Sequence, residues 1–258
     1  MLREKYGTAQ KEKGAEWTDL DNFFRRIPWS SSVFISTNWD TVVEEKLEEV
    51  QKVGSFNYGC GAIAANLHPD GIKRQALTEP SANVIKLHGS INWLYCDACR
   101  KVFWFPAKQS NKVAGQLLRE KDWKIIEGRP RDPMAPYLCF VCGADALGTR
   151  LATFSFEKAF DFPMFQRSWF AAERSLRRAK TWVFIGYSLP AADFEFKFLL
   201  KRIQLSRRNR PDFVLISKGK SADKTFDRYQ HFFGRGFRKE NFFEEGIAEK
   251  AISYILAL

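Results

Sequence analysis

Four short apolar runs, each followed by small polar residues, constrain the fold of this chain more than any other feature. They are V-F-I-S at 33–36, V-I-K-L at 84–87, W-V-F-I at 182–185 and F-V-L-I at 213–216. Runs of this length and composition are typical of strands that are buried on both faces of a parallel sheet. Amphipathic segments separate them, so the sequence predicts an α/β fold with a doubly wound, mainly parallel sheet.

Helical periodicity marks five segments of the chain. They are 18–26, the stretch after Asp40, 164–179, the stretch after Pro190, and 243–256. In the second segment, four glutamates are predicted to cover the solvent-facing side, namely Glu44, Glu45, Glu48 and Glu49. Residues 54–80 show weak periodicity and contain several glycines, and we predict a loop there.

Length and hydropathy limit the class of protein. The chain has 258 residues, of which 45% are hydrophobic, and this is enough for one domain with a small insertion. No stretch approaches the roughly 18 to 20 apolar residues that span a bilayer, so we expect no membrane partner. The opening M-L-R-E-K-Y-G is polar and unlike a signal peptide. We therefore expect a cytoplasmic protein.

The balance of charge predicts an anionic partner. The chain has 41 basic and 30 acidic residues, a formal charge of +11. Such a surplus favours binding to nucleotides, nucleic acid or acidic surfaces, and it does not distinguish between these partners. The basic residues are spread in short clusters that are typical of solvated faces. Nucleic acid therefore stays an alternative partner that the sequence does not favour.

Four of the five cysteines form two C-x-x-C pairs, Cys96 with Cys99 and Cys139 with Cys142. Tetrahedral zinc binds four thiolates, and a two-residue gap lets both cysteines of a pair reach one ion. A site with four cysteine ligands leaves no position for a substrate, so this zinc is expected to be structural. We predict a zinc-ribbon insertion over 96–143, within a sheet domain formed by 1–95 and 144–258.

The polar residues that end the strands are candidate site residues, because ligands bind at the carboxyl edge of a parallel sheet. Asn38 and Asp40 follow the first strand, His88 follows the second, and the turn Gly186–Ser188 follows the third. Each also has an ordinary structural interpretation. His88 is expected to bond a nearby carbonyl, Asn38 to satisfy turn backbone and Asp40 to cap a helix, while the glycine turn simply joins strand to helix.

The order of these pieces resembles the sirtuin (SIR2) family. The matching pieces are T-N-W-D, K-L-H-G-S-I-N-W, the paired C-x-x-C motifs and F-I-G-Y-S-L-P-A-A-D, spread over about residues 18 to 218. The I-K-L-H-G-S-I-N-W and F-I-G-Y-S-L-P-A-A-D blocks, the latter with the helix that precedes it, look closest to the SIR2-like domains of bacterial defence proteins. The resemblance implies a Rossmann-like fold with a zinc insertion and an enzyme that consumes NAD. It also implies NAD glycohydrolase activity in preference to protein deacylation, and a role in antiviral defence.

The resemblance also implies roles for particular residues. His88 matches the histidine that acts as general base, while Asn38 and Asp40 lie at the nicotinamide ribose. The remaining expected contacts to NAD are Ser36, Thr37, Gly186, Tyr187, Ser188 and Ser217.

Two departures from the family pattern shape the alternatives. Thr37 stands where the family has glutamine, and no glycine-rich G-A-G-x-S loop precedes Ser36. The chain is therefore expected to lack the first βα unit, which a longer form or a partner domain would supply. One alternative function is a module that binds NAD or ADP-ribose without cleaving it. Another is a zinc-ribbon adaptor that binds nucleic acid through its basic surface.

Overall fold

The computed structural model describes residues 15–111, 113, 137–152, 162–234 and 237–258. The chain divides into two compact units, which we call the middle unit, 30–172, and the terminal unit, formed by 1–29 together with 173–258. The proposed sheet domain and insertion follow other boundaries and stay a prediction. Within the described residues, no helix is both long and apolar enough to cross a membrane.

The middle unit contains a parallel sheet of three strands. Strand β1 spans Val33–Ser36 and is followed by helix α2 at Val42–Gln51. Strand β2 spans Ser55–Asn57, and β5, at Ser81–Lys86, lies between β1 and β2 and runs parallel to both. Two of the predicted strands are therefore neighbours, and their carboxyl ends meet at one edge.

A second, mixed sheet in the middle unit follows the order β4-β3-β7-β6-β8. Its strands are β3 (Ile63–His68), β4 (Gly71–Arg74), β6 (Trp93–Cys96), β7 (Val102–Trp104) and β8 (Leu147–Gly148). The prediction of a loop over 54–80 was wrong, because β3 and β4 form a hairpin whose register pairs His68 with Gly71. The Asp70-Gly71 dipeptide is a strong hairpin signal that the weak periodicity concealed.

The terminal unit contains the other three parallel strands, in the order β11-β10-β9. They are β9 (Thr181–Ile185), β10 (Asp212–Ile216) and β11 (Phe242–Phe243). Its helices are α1 (Ala15–Arg26), α4 (Phe194–Ser206), α5 (Ala222–Phe233) and α6 (Glu249–Leu256), and α3 (Pro163–Arg178) belongs in part to each unit.

Most predicted elements exist, with shifted ends. The predicted helix over 243–256 is shorter and starts at Glu249, because Phe242 and Phe243 pair with β10 instead. The helix expected from Pro190 begins only at Phe194. Helix α5 was not predicted, although Phe226, Tyr229 and Phe233 repeat along it and are buried. The α/β class with parallel sheets and a cysteine cluster is confirmed.

Aromatic rings form the core of the terminal unit. Phe213 and Phe233 pack at 4.4 Å between ring centroids, and Phe184 contacts Tyr229 at 5.0 Å. Phe237 packs against the same rings. Each of these side chains is less than a tenth exposed, so the three parallel strands rest on an almost wholly apolar layer.

Candidate functional site

The turn that follows β1 is held directly against the segment that follows β5. The main-chain carbonyl of Ser36 accepts a hydrogen bond from the Leu87 amide at 3.0 Å. The carbonyl of Trp39 accepts from the Ile91 amide at 2.9 Å and from Ser90 Oγ at 3.4 Å. The structure therefore brings the S-T-N-W-D motif and the K-L-H-G-S-I motif into one assembly.

A buried lysine adds a third bond to this assembly. Lys86 is the last residue of β5, is 0% exposed, and donates from Nζ to the main-chain carbonyl of Asp40. The same Nζ lies 3.4 Å from Glu44 Oε1, whose side chain is also 0% exposed. The placement of Glu44 on a solvent-facing side was wrong, because the lysine inside the apolar strand supplies a buried counter-charge that helical periodicity does not reveal.

The ion pair continues into a buried polar network that sequence reasoning missed. Tyr58 Oη lies 3.3 Å from Glu44 Oε1, and Asn92 Nδ2 donates to the Phe105 carbonyl at 2.7 Å and approaches Tyr58 Oη at 3.5 Å. Burial raises the pKa of Glu44 despite the attraction of Lys86. Burial also raises the pKa of Tyr58 well above its usual value, with a further contribution from the Glu44 charge.

His88 lies at the end of β5 and is 7% exposed. Its ring meets the ring of Trp169 edge-on, with 6.1 Å between centroids. Its main-chain carbonyl accepts from the Ala152 amide at 3.0 Å, and the Ala152 carbonyl accepts from Trp39 Nε1 at 3.3 Å. The histidine and the turn after β1 are thus tied to the same third segment.

The glycine after the histidine is required by both conformation and space. Gly89 has φ +85°, and a Cβ atom there would lie 2.7 Å from the Arg150 carbonyl oxygen. Any side chain at this position meets backbone rather than a flexible group. The His-Gly pair therefore allows the chain to turn tightly past the segment around Arg150.

The polar residues of the turn after β1 differ in their hydrogen bonds and in their exposure to solvent. Ser36 Oγ closes the turn on the Asn38 backbone, with 3.1 Å to the amide and 3.2 Å to the carbonyl. The serine hydroxyl therefore satisfies the turn backbone, a role that was expected of the Asn38 side chain. Asn38 itself is exposed, and Thr37 is half-buried. Asp40 Oδ1 accepts from the Val42 amide at 3.2 Å, so this carboxylate bonds the first residue of α2 from the position before its N-cap, Thr41.

The second predicted group of site residues lies in the terminal unit. Gly186 has φ +64°, and its amide donates to the Ile216 carbonyl at 2.9 Å, so the turn after β9 adjoins Ser217 at the end of β10. Ser188 is exposed. Tyr187 Oη donates to Asp193 Oδ2 at 2.9 Å, and its burial raises the pKa of the phenol.

Two residues that support this turn were not predicted. Tyr229 is 0% exposed and donates from Oη to the Tyr187 carbonyl at 2.8 Å. Asp193 is also buried and precedes helix α4. Both had a signal in the sequence, because Asp193 ends the F-I-G-Y-S-L-P-A-A-D block and Tyr229 lies on the buried face of an amphipathic helix.

The four paired cysteines come together as predicted. Their Sγ atoms all lie within 4.8 Å of one another, with 3.7 Å between Cys96 and Cys142 and between Cys99 and Cys139. Four thiolates bound to tetrahedral zinc at about 2.3 Å would be roughly 3.8 Å apart, so the donor set fits this ion. The cluster packs against Leu94, Phe103 and Phe105 of the mixed sheet. All four positions around the ion would be filled, as in structural sites.

Comparison with known proteins gives a structural likeness only. No protein-family model and no curated protein matches the chain. A structure described as the structural basis for sirtuin substrate affinity is similar over 69% of this chain and 57% of that one, with 18% identity and a TM-score of 0.34. The resemblance is to sirtuins.

Two further structures are of Sir2. One is a histidine-to-alanine variant with a deacetylated p53 peptide and 3′-O-acetyl-ADP-ribose, at 17% identity and a TM-score of 0.33, covering 69% of this chain and 55% of that one. The other holds a p53 peptide and NAD+, at 18% identity and a TM-score of 0.33, covering 69% and 56%. The chain spans less than three fifths of each of these structures, and the likeness assigns no activity to it.

Proposed function

We propose that this chain contains a SIR2-like site that consumes NAD by cleaving the bond between nicotinamide and ribose. One observation carries the proposal. The Ser36–Asp40 turn and the His-Gly segment, which lie about 50 residues apart in sequence, are joined by hydrogen bonds to Ser36, Trp39 and Asp40 carbonyls. These are the two motifs that, by resemblance, both lie at the nicotinamide ribose.

The residues at this edge suit that chemistry. Departure of nicotinamide leaves positive charge on the ribose carbon, and an oxygen nucleophile must then lose a proton. In the proposed reaction Asn38 orients the ribose or the attacking water, and Asp40 lies by the nicotinamide. His88 takes the proton, because an imidazole near neutral pH is suited to that role. NAD+ and water then give nicotinamide, ADP-ribose and one proton.

The remaining predicted contacts belong to binding. Ser36 and Thr37 are proposed at the ribose side, and the turn with Gly186, Tyr187 and Ser188 is proposed for the adenosine half together with Ser217. The hydroxyls of the serines are suited to bond ribose or phosphate oxygens. Zinc, bound by the four cysteines, would supply structural cross-linking and no step of the reaction.

The test is release of nicotinamide from NAD by the full chain and by His88→Ala. Loss of a general base lowers turnover by about 100-fold to 10,000-fold, and we expect a fall in that range. His68→Ala and His231→Ala are matched controls, because both of these histidines are exposed, and their turnover should equal that of the unmodified chain. Equal turnover by His88→Ala would refute its assignment as base.

A second measurement separates the acceptors. We propose water in preference to acyl-lysine, so ADP-ribose should form at the same rate with and without an acetyl-lysine peptide. Formation of O-acetyl-ADP-ribose only when the peptide is present would instead assign a deacylase. Calorimetric binding of ADP-ribose without nicotinamide release would support the non-catalytic module in its place.

A further inference from the structure

The least expected residue near the proposed site is Lys86, because it occupies a strand position that the sequence pattern predicts to be apolar. Its side chain is 0% exposed, so its ammonium group has left water entirely. Burying such a group is costly unless it is paired and hydrogen-bonded. Lys86 satisfies both conditions, with Glu44 Oε1 at 3.4 Å and with the Asp40 carbonyl as acceptor.

The two bonds of Lys86 are not equivalent. A buried ion pair can often be replaced by neutral side chains of similar volume without loss of stability, so the pair with Glu44 alone does not explain a lysine. The donation to Asp40 is different, because its acceptor is main chain within the turn that presents Asn38 and the Asp40 carboxylate. A side chain without a donor would leave that carbonyl unpaired.

The bond from Lys86 is the last of several hydrogen bonds that hold the carbonyls of the turn after β1. Ser36 is bonded by the main chain of Leu87, and Trp39 by Ile91 and Ser90. Asp40 is the last residue before the N-cap of α2, and its carbonyl is bonded by the Lys86 side chain. Glu44, one turn into that helix, in turn contacts Lys86 and Tyr58. The network therefore links the orientation of the turn to the start of the helix.

We infer that Lys86 is a positioning residue, which fixes the orientation of Asn38 and Asp40 beside the histidine segment through its bond to the Asp40 carbonyl. This inference rests on the proposed function for its catalytic consequence. The position of the turn itself is a property of the protein with or without that function. Glu44 and Tyr58 lie behind the lysine, and the bond to the Asp40 carbonyl, rather than the ion pair, holds the turn.

The test compares two variants that differ in the amine alone. Glu44→Gln removes the acid but keeps the donation from Lys86 to Asp40. Lys86→Met combined with Glu44→Gln removes the donor and leaves no unpaired buried charge. Lys46→Met is the matched control, because Lys46 is also buried on helix α2 and pairs with Glu49, in the last turn of that helix, at 3.1 Å.

We expect the double variant to lose about 100-fold in kcat for nicotinamide release, with KM changed less than about threefold, as for a misplaced catalytic group. Glu44→Gln and Lys46→Met should stay within about threefold of the unmodified chain. Hydrogen exchange gives the second readout. The Ile91 amide and the Trp39 indole, which bond Trp39 and Ala152 carbonyls, should exchange about tenfold faster in the double variant only.

Several outcomes would overturn the inference. One is a kcat in the double variant equal to that of Glu44→Gln, and another is equal loss in the double variant and in Lys46→Met. If the unmodified chain releases no nicotinamide, the proposed function fails, and the exchange of Ile91 and Trp39 still decides whether Lys86 holds the turn. Should the double variant not fold, Lys86→Leu combined with Glu44→Gln, which also leaves no unpaired buried charge, is measured in the same two ways, with the same expected losses.

Discussion

The two units of the chain use the same device, a parallel sheet of three strands with polar turns at its carboxyl edge, but they support those turns in different ways. In the middle unit, the turn after β1 rests on a buried ion pair and its polar neighbours Tyr58 and Asn92. In the terminal unit, the turn after β9 is joined to the aromatic layer by the bond from Tyr229 Oη to the Tyr187 carbonyl, and no ion pair among the described residues supports it, while Gly186 and Ser188 are exposed.

The two kinds of support have different effects on the turn above them. Buried polar groups are costly, and they are retained where they determine one arrangement in preference to others. An apolar layer stabilises a sheet without determining how the turn above it is oriented. We therefore expect changes in the middle unit to affect geometry and stability together, and changes at the terminal turn to affect stability only slightly.

The largest effect should come from removing zinc, because this should unfold the cysteine segment of the middle unit and leave the terminal unit intact. Binding free energy of structural zinc is folding free energy, about 10 kcal/mol or more in small zinc modules. A strong chelator should therefore expose the amides that tie the cluster to its sheet, such as Cys96 on Lys101 and Asp97 on Ala146. The measurement is hydrogen exchange with metal analysis by mass spectrometry.

The control lies in the terminal unit, where among the described residues no such cysteine cluster occurs. The Gly186 amide, bonded to the Ile216 carbonyl, should keep its protection after chelation. Restoring zinc should restore the protection of the cysteine segment. Unchanged exchange at Cys96 and Asp97 after verified loss of metal would show that the cluster is not what holds this segment together.

Much of this architecture is recognisable from local sequence. The four apolar strands, the helix around Trp169 and the cysteine pairs follow from periodicity or spacing over a few residues, so they were predicted correctly. The hairpin at Asp70-Gly71 and helix α5 also carried local signals, which a weaker neighbouring pattern obscured. These errors come from the interpretation of the sequence rather than from its information content.

The site was less predictable because its decisive contacts are not local. Lys86 meets Asp40 across 46 residues, and Tyr229 meets Tyr187 across 42. No periodicity connects such partners, and a glutamate on an amphipathic helix has the same pattern whether it faces water or a buried lysine. The motifs indicated which turns matter, while the groups that hold them became visible only in three dimensions.

A second, smaller effect distinguishes two glycines with similar backbone conformations. Gly89→Ala places a methyl group 2.7 Å from the Arg150 carbonyl at φ +85°, whereas Gly186→Ala meets nothing within 4 Å at φ +64°. We expect Gly89→Ala to lower the free energy of unfolding by about 3 kcal/mol, because overpacking adds to the left-handed penalty. Gly186→Ala should cost about 1 kcal/mol.

Denaturant unfolding of both variants gives these values. Equal losses would mean that the close approach at Arg150 relaxes without cost. A larger loss at Gly186 would contradict the distinction between a tightly held turn and an open one.

The buried Glu44 should make the free energy of unfolding depend on pH. Burial raises the folded-state pKa of Glu44 above its usual value near 4.5. The folded carboxyl therefore keeps a proton that the unfolded chain releases, so its stabilising contribution is complete below about pH 4.5 and declines as pH rises toward the folded pKa.

Relative to the unmodified chain, Glu44→Gln should gain stability with increasing pH in that window, by at most about 1.4 kcal/mol per pH unit. Unfolding curves collected from pH 4.5 to 8 test this expectation. Glu49→Gln, on the exposed side of the same helix, is the control for loss of one carboxylate, and the effect of Glu44→Gln should exceed it. Parallel curves for Glu44→Gln would contradict a raised pKa of this carboxyl in the folded chain.

The smallest effect concerns the support of the terminal turn. Tyr229→Phe keeps the ring that packs on Phe184 at 5.0 Å and removes only the hydroxyl that bonds the Tyr187 carbonyl. Since one hydrogen bond is lost and the half-buried turn can reach water, we expect a loss of about 1 kcal/mol in the free energy of unfolding. The G-Y-S turn should keep its place, because the aromatic layer below it is unchanged. A loss as large as that of Gly89→Ala would show that this turn depends on a buried polar contact as strongly as the turn after β1 does.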